Sequence, residues 1–297
     1  MFFKCQTKNG HCFIVEFKSG FGNGSVDEID FLIFVYFVGG FEHFCIHVYP
    51  SKLINEGSDV RRKYIDGVIS QFDKFYLNDL INYNKSLLQR NTLLKHFSEG
   101  NYFDASSLSV WDDKLADIGA GLFEKRKQFL IEFNPLFEEY YRFLSGGKEQ
   151  VEIIYESQLS IMPMRDLLSE SLPKDRMVKF TTAGIHKDDL SFQINGYPVK
   201  KFGSQGQQKT FVIAIKLAQF EYTRRIKKFK PILLFDDIFD KLDDNRVKQI
   251  VKLVNEDNFG QVFITDTQRE RTEQIFNDHD IDHKIFEVVD GTVSVSE

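Results

Sequence analysis

The 297 residues are 42% hydrophobic and 28% charged, which excludes a disordered chain and allows one large or two modest globular domains around a substantial core. A formal net charge of −6 excludes a uniformly basic nucleic-acid coat, so any contact with nucleic acid has to come from local patches. The most apolar stretch, Phe31 to Phe41, is far shorter than the ~20 residues that span a bilayer; no positive region precedes an apolar stretch in the manner of a signal peptide; and Cys5, Cys12 and Cys45 have no framework spacing, which points to a reducing cytoplasm.

In chain order, Met1 to Lys18 reads as a hairpin, with apolar runs on either side of Lys8-Asn9-Gly10, because Asn-Gly is a strong turn signal. In the Phe-rich segment that follows, His43 and His47 have the spacing that converges on one metal ion when carried by a helix. Their neighbours in HFCIHVY are aromatic and β-branched. On a strand, which rises ~3.3 Å per residue, the two rings stand roughly 13 Å apart and share no ion.

Beyond Pro50, Leu77, Leu80, Ile81, Leu87, Leu88 and Leu94 recur at helical spacing and are expected in the core. Arg61 and Arg62 either hold phosphate or pair with Asp66 or Asp59 inside the fold. The basic stretches 125–127 and 224–230 read as solvated helix faces or as nucleic-acid patches. A loop rich in Ser, Gly and Asn from Ser98 to Ser109 precedes a second long helix, Val110 to about Leu144, with Trp111, Leu115, Ile118, Leu122, Phe129, Phe133, Phe137 and Tyr140 on its apolar side. Two long helices joined by a short loop predict an antiparallel pair, with Pro135 as a kink. Ser145-Gly146-Gly147 ends it.

The return contains a strand over Val151 to Glu156, a helix over Asp166 to Ser171, and a hairpin of Leu190 to Ile194 with Tyr197 to Lys201 about Asn195-Gly196. Phe202 to Lys209, FGSQGQQK, opens a helical stretch, Thr210 to Arg225, with apolar Phe211, Ala214, Ile215, Ala218 and Tyr222. Free amides and the positive end of the helix dipole make such an opening an anion site. A capping box of Ser204 with Gln207 is the plainer reading, and it leaves Gly206 and the Gln-Gly-Gln-Gln run unexplained.

Pro231 to Asp244, PILLFDDIFDKLDD, is a short apolar run ending in two carboxylates. It predicts a buried parallel strand whose carboxyl end faces a ligand edge. There Asp236 and Asp237 either orient a hydrated magnesium ion and polarise a water or merely end the strand and cap the next turn. A helix over Asp243 to Val254, strands at Gln261, Lys284 and Thr292, and a helix over Arg269 to Phe276 complete the pattern.

FGSQGQQK, an amphipathic helix, and then ILLFDDIFDKLDD, in that order, resemble the RecF family of bacterial DNA replication and repair proteins, ABC-type ATPases related to SMC heads. GIHKDD at Gly184 to Asp189 is similar to the family's GPHRDD, and the run from Pro50 to the QRN at Gln89 to Asn91 is similar to its helical segment. The resemblance implies an α/β fold: an ABC/SMC-like P-loop NTPase head with a helical lobe II insertion. Lobe I would occupy a divergent remnant at 1–49 and return over 50–75, lobe II would span 76–147, and the ATPase core lobe 148–297. Ser204, Gln205, Gly206 and Gln207 would be the signature motif, contacting the γ-phosphate of ATP held by a second subunit. Asp236 would be the Walker B ligand of Mg2+, Asp237 the catalytic acid, Asp243 part of the D-loop and Thr265 the tip of the switch strand, with Asp240 where the family more often has Ser or Ala. Arg61 and Arg62 would be weak DNA contacts.

The implied function is ATP-dependent binding of single-stranded or gapped DNA in recombinational repair and SOS induction. It would be carried out by an ATP-dependent homodimer together with recombination mediator proteins, in the cytoplasm and without a membrane. The sequence contains no G-x-x-x-x-G-K-[ST], the P-loop that holds ATP phosphates in the family. The chain is therefore expected to be an amino-terminally incomplete member, with about Gly20 to Tyr49 read in a shifted frame. The alternative is a module without enzymatic activity that keeps dimer or DNA surfaces.

Overall fold

The computed structural model describes residues 12–17, 43–47, 50–228, 230–236, 238–239, 242–255, 259, 261–266, 269–277, 283–289 and 292–295. Strands β1 (Cys12–Phe17) and β2 (His43–His47) precede the helices α1 (Pro50–Asn55), α2 (Ser58–Phe72), α3 (Lys74–Glu99) and α4 (Ala105–Ser145). Next come β3 (Val151–Glu156), α5 (Met164–Val178), β4 (Asp189–Ile194), β5 (Tyr197–Pro198), α6 (Val199–Phe202) and α7 (Gln205–Lys227). The order closes with β6 (Ile232–Asp236), α8 (Asp244–Asn255), β7 (Val262–Asp266), α9 (Arg269–Asn277), β8 (His283–Val289) and β9 (Thr292–Val295).

These elements gather into two compact units, one of Met1–Ile54, Leu136–Val151 and Val199–Glu297 and one of Asn55–Pro135 and Glu152–Pro198. The division differs from boundaries at 75 and 147: α2 belongs with α3, and β3 to β5 belong with the helices. Ion pairs account for this, because Arg61 of α2 grips Asp189 of β4 through two hydrogen bonds of 2.7 and 2.9 Å. Helix α4 runs unbroken through Pro135, and the units divide at that residue.

The first unit carries a six-stranded sheet in the order β2-β6-β7-β1-β8-β9. All its pairs are parallel except β8 with β9. The short run Ile232 to Phe235 is a strand because it lies between two parallel neighbours, with Leu233 and Phe235 fully buried. The strand reading at 43–47 is what the backbone adopts. The expected hairpin at 1–18 is not formed by β1: β7 and β8 occupy its two edges in parallel register, which leaves no edge for an antiparallel partner. Nor is α7 amphipathic as expected. Every residue from Lys209 to Glu221 is buried, and Phe211 packs on Phe137 (4.7 Å between centroids) and Tyr141 (5.9 Å) while Phe220 packs on Phe259 (5.0 Å). A helix wrapped on all sides needs more than one apolar stripe.

In the second unit α3 and α4 are antiparallel. Contacts fall along one as they rise along the other, from Leu94 and Phe97 with Leu108, through Arg90 with Asp112 (2.6 Å), to Tyr76 with Arg126 (3.1 Å). Helix α4 begins at Ala105, inside the stretch expected to be loop, because Asp104 accepts from the Ser106 and Ser107 amides and caps it. The leucine stripe of α3 is not the core: Leu77, Ile81 and Leu88 are exposed, and the buried face is Tyr76, Tyr83, Ser86, Arg90, Leu94 and Phe97. Polar groups sit inside because each has a partner. Arg90 bonds Asp112, Asp175 and Thr181, and Asn91 accepts from the Thr181 amide and hydroxyl, both at 2.7 Å. The three-stranded sheet β3-β4-β5 completes this unit. Its last strand is only two residues long, since Val199 to Lys201, expected as strand, turn into α6.

His186 lies between Tyr83 (3.0 Å) and the Thr181 carbonyl (3.1 Å). Burial holds its pKa down to about 4. A base depressed in the folded state contributes stability that is full above the unfolded value near 6.5 and is lost as pH falls toward the folded value. The expected loss is on the order of 3 kcal/mol between those limits. Urea unfolding at neutral and mildly acidic pH, compared between the native chain and His186→Gln, checks it: the native chain should show the steeper decline.

Candidate functional site

The mouth of α7 is built by its own sequence. Ser204 is in extended conformation and its hydroxyl accepts the Gln207 amide at 3.2 Å, while the Gln207 side-chain oxygen accepts the Ser204 amide at 2.8 Å. The capping box is therefore complete. Gln208 closes the approach by donating to the Gly203 carbonyl at 3.0 Å. The first-turn amides of Gln205 and Gly206 have no acceptor within the helix. Ser204 and Gln205 are exposed and Gly206 is half-buried, so two N–H donors, a hydroxyl proton and the helix dipole converge at an open point, a donor set that suits a phosphate.

Gln207 does not belong to that open set. Its side-chain nitrogen donates to Glu149 Oε1 at 2.9 Å, so both ends of the amide are engaged inside the unit. Glu149 reaches it because Gly146 and Gly147, with φ of +70° and +76°, reverse the chain directly after α4. Only glycine adopts that pair of angles without strain. The other Glu149 oxygen accepts the Tyr141 hydroxyl, and Arg246 lies 3.6 Å from Oε1. Burial, followed by the Glu149 contact, raises the Tyr141 pKa beyond the ordinary phenol range.

Arg246 also pairs with Asp243 at 2.5 Å, and Asp243 accepts the Arg246 amide at 2.9 Å, capping α8. That amide and the guanidinium hold the Asp243 carboxyl below its ordinary value against the opposing effect of burial. Neither Glu149 nor Arg246 stood out in the sequence. A lone Glu in a glycine turn carries no signal, and Asp243-x-x-Arg246 is only a weak helix-start pattern.

At the carboxyl edge of the sheet, Asp236 ends β6 and its register partner on β7 is Thr265, with buried Asp266 next. Two of the expected residues are thus register neighbours on adjacent parallel strands, at the edge where α/β sheets bind ligands. Asp237 and Asp240 lie outside the described residues.

The two arginines expected as weak DNA contacts have partners within the second unit. Arg61 is spent on Asp189, an acid other than the two its sequence position suggested, and Arg62 donates to the Asp188 carbonyl at 2.6 Å. In the other basic stretches Lys125 pairs with Asp73, and Arg224 and Arg225 both pair with Glu221. Among the described residues no helix is long and apolar enough to cross a membrane.

No family model matches the chain. It is 53% identical over 234 residues to the DNA replication and repair protein RecF of Flavobacterium johnsoniae, covering 79% of this chain and 65% of that protein. To the protein of the same name from Parabacteroides distasonis it is 47% identical over 247 residues, covering 83% and 67%. A solved structure of the recombination mediator protein RecF-ATP in the RecFOR pathway superposes with a TM-score of 0.72 at 32% identity, covering 87% of this chain and 68% of that one. The chain spans about two thirds of the length of the curated relatives it matches. The GIHKDD and QRN segments fall in the ion-pair network of the second unit, while FGSQGQQK and the acidic strand belong to the first. With identity at this level over most of its length and the α/β head fold in common, the chain belongs to the RecF family of DNA replication and repair proteins.

Proposed function

We propose that this chain supplies the signature half of a nucleotide site shared between two subunits, in the service of ATP-dependent binding to single-stranded or gapped DNA. The observation that carries the reading is the mouth of α7, where a complete capping box leaves the Gln205 and Gly206 amides and the Ser204 hydroxyl facing outward. Ser204, Gln205 and Gly206 bind and orient the terminal phosphate of ATP held by the partner's P-loop. Gln207 keeps those donors in place and does not itself touch phosphate. Asp236 holds Mg2+, Asp237 is the acid that polarises the attacking water, Thr265 stands at the switch position, and Asp243 belongs to the loop facing the partner. ATP bound with Mg2+ supplies a phosphoanhydride whose cleavage resets the pair of subunits.

The sequence has no G-x-x-x-x-G-K-[ST]. That favours a second reading, a module that serves another subunit's nucleotide and hydrolyses none alone. Recombination mediator proteins are the natural partners and the cytoplasm the natural location. DNA affinity tests the first reading: with ATP and a P-loop-bearing family member present, binding to gapped DNA should weaken at least about tenfold between about 50 and 200 mM salt, with little sequence preference. Salt-independent or strongly sequence-specific binding would contradict it.

A further inference from the structure

We propose that Glu149 is a positioning residue that couples the mouth of α7 to the start of α8, so that the Ser204–Gln207 turn and Asp243 are set together. The polar chain is continuous within the first unit. The Ser204 amide donates to Gln207 Oε1 (2.8 Å), Gln207 Nε2 donates to Glu149 Oε1 (2.9 Å), Arg246 faces the same oxygen at 3.6 Å, and Arg246 pairs with Asp243 (2.5 Å). The Gln207 amide has one workable orientation, because its reverse would set N–H against the Ser204 N–H and oxygen against the Glu149 carboxylate.

Glu149 and Arg246 are each only 17% exposed in their side chains, so the pair is shielded from the screening that makes surface ion pairs weak. Its length matters as well. At 3.6 Å it is an ion pair beyond hydrogen-bond range, so a shift of under about 1 Å at either helix start would make a charge-assisted hydrogen bond. Tyr141, the remaining partner, fixes the other oxygen of Glu149 to the last turns of α4 and gives the chain a rigid anchor.

A plainer role, in which Glu149 merely ties down the end of α4, would leave the two helix starts independent, and the two roles separate by experiment. Amide hydrogen exchange on the complete chain is read at 204–208 and at 243–247. Glu149→Gln, which keeps the shape and removes the charge, is expected to raise exchange at both places. Arg246→Gln, a change on α8, is expected to raise exchange at Gln207 and Gln208 up to about fivefold, the ratio for the loss of one ordinary hydrogen bond, here that of Gln207 to Glu149. Arg246→Lys, which keeps the charge, should restore protection there. Exchange that changes only within 243–247 in Arg246→Gln, or only within 204–208 in Glu149→Gln, overturns the proposal.

The catalytic meaning of the coupling rests on the trans-nucleotide reading, and the same variants tell the two apart. Coupled exchange in a chain that never associates with a partner in ATP sinks the nucleotide reading alone. Association in ATP with uncoupled exchange sinks the relay alone.

Discussion

Arg126→Met is expected to destabilise the second unit by about 3–5 kcal/mol, because it breaks a buried ion pair and leaves the acids behind. Arg126 is 2% exposed and makes five contacts of 2.9 to 3.1 Å: both oxygens of Asp66, Asp188 Oδ2, the Ile185 carbonyl and the Tyr76 hydroxyl. Burial alone would lower its pKa, but Asp66 and the neighbouring phenols hold it well above the ordinary value, so the guanidinium stays charged. Asp188, in contrast, is raised by burial despite Tyr155 and Arg126.

Without the arginine, the Asp188 carboxyl, which burial already raises, would be left uncompensated and would take up a proton on folding. The variant's deficit should therefore grow as pH rises above the ordinary carboxylate range, since an acid raised in the folded state loses stability with increasing pH. Urea denaturation across that range measures it. Adding Asp188→Asn to the methionine variant should recover part of the loss, as expected for residues in one network. A deficit under about 1 kcal/mol would mean the network is solvated and contributes little.

That network also shows what could and could not be read from the chain. The strands β6, β7 and β8 and the helices α7 and α8 were legible because each is long or strongly patterned, and two are marked by a distinctive residue, Ser204 before α7 and Asp236 at the end of β6. The capping box was legible because it is local, three residues apart. The α3 core was misread because its buried stripe holds Tyr76, Tyr83 and Arg90 while leucines face out; hydrophobic periodicity cannot see burial that depends on partners 22 to 91 residues away, such as Asp112 and Thr181 for Arg90. The choice of partner for Arg61 was open for the same reason, since Asp189 is 128 residues on. The division into units was hidden because α4 contributes to both without a break. Of the site, the donors at Ser204 to Gly206 and the acid at Asp236 were in the motifs. Glu149 and Arg246 were not, because their meaning arises only where three separate segments meet.

The second large effect concerns Ser204. Arginine at this position places a long side chain over the two free amides of the α7 mouth and removes the hydroxyl that accepts the Gln207 amide. Loss of the cap itself costs about 1 kcal/mol, which the buried helix tolerates, so Ser204→Arg should fold and fail only in association. Sedimentation velocity on an equimolar mixture of this chain and full-length Flavobacterium johnsoniae RecF, with and without Mg-ATP, tests the shared-site claim most directly. The native chain is predicted to move into a heterodimer only when ATP is present, and Ser204→Arg to remain a separate species at every ATP concentration. A native chain that never joins the full-length protein in ATP, or a Ser204→Arg chain that joins it equally well, would contradict the account.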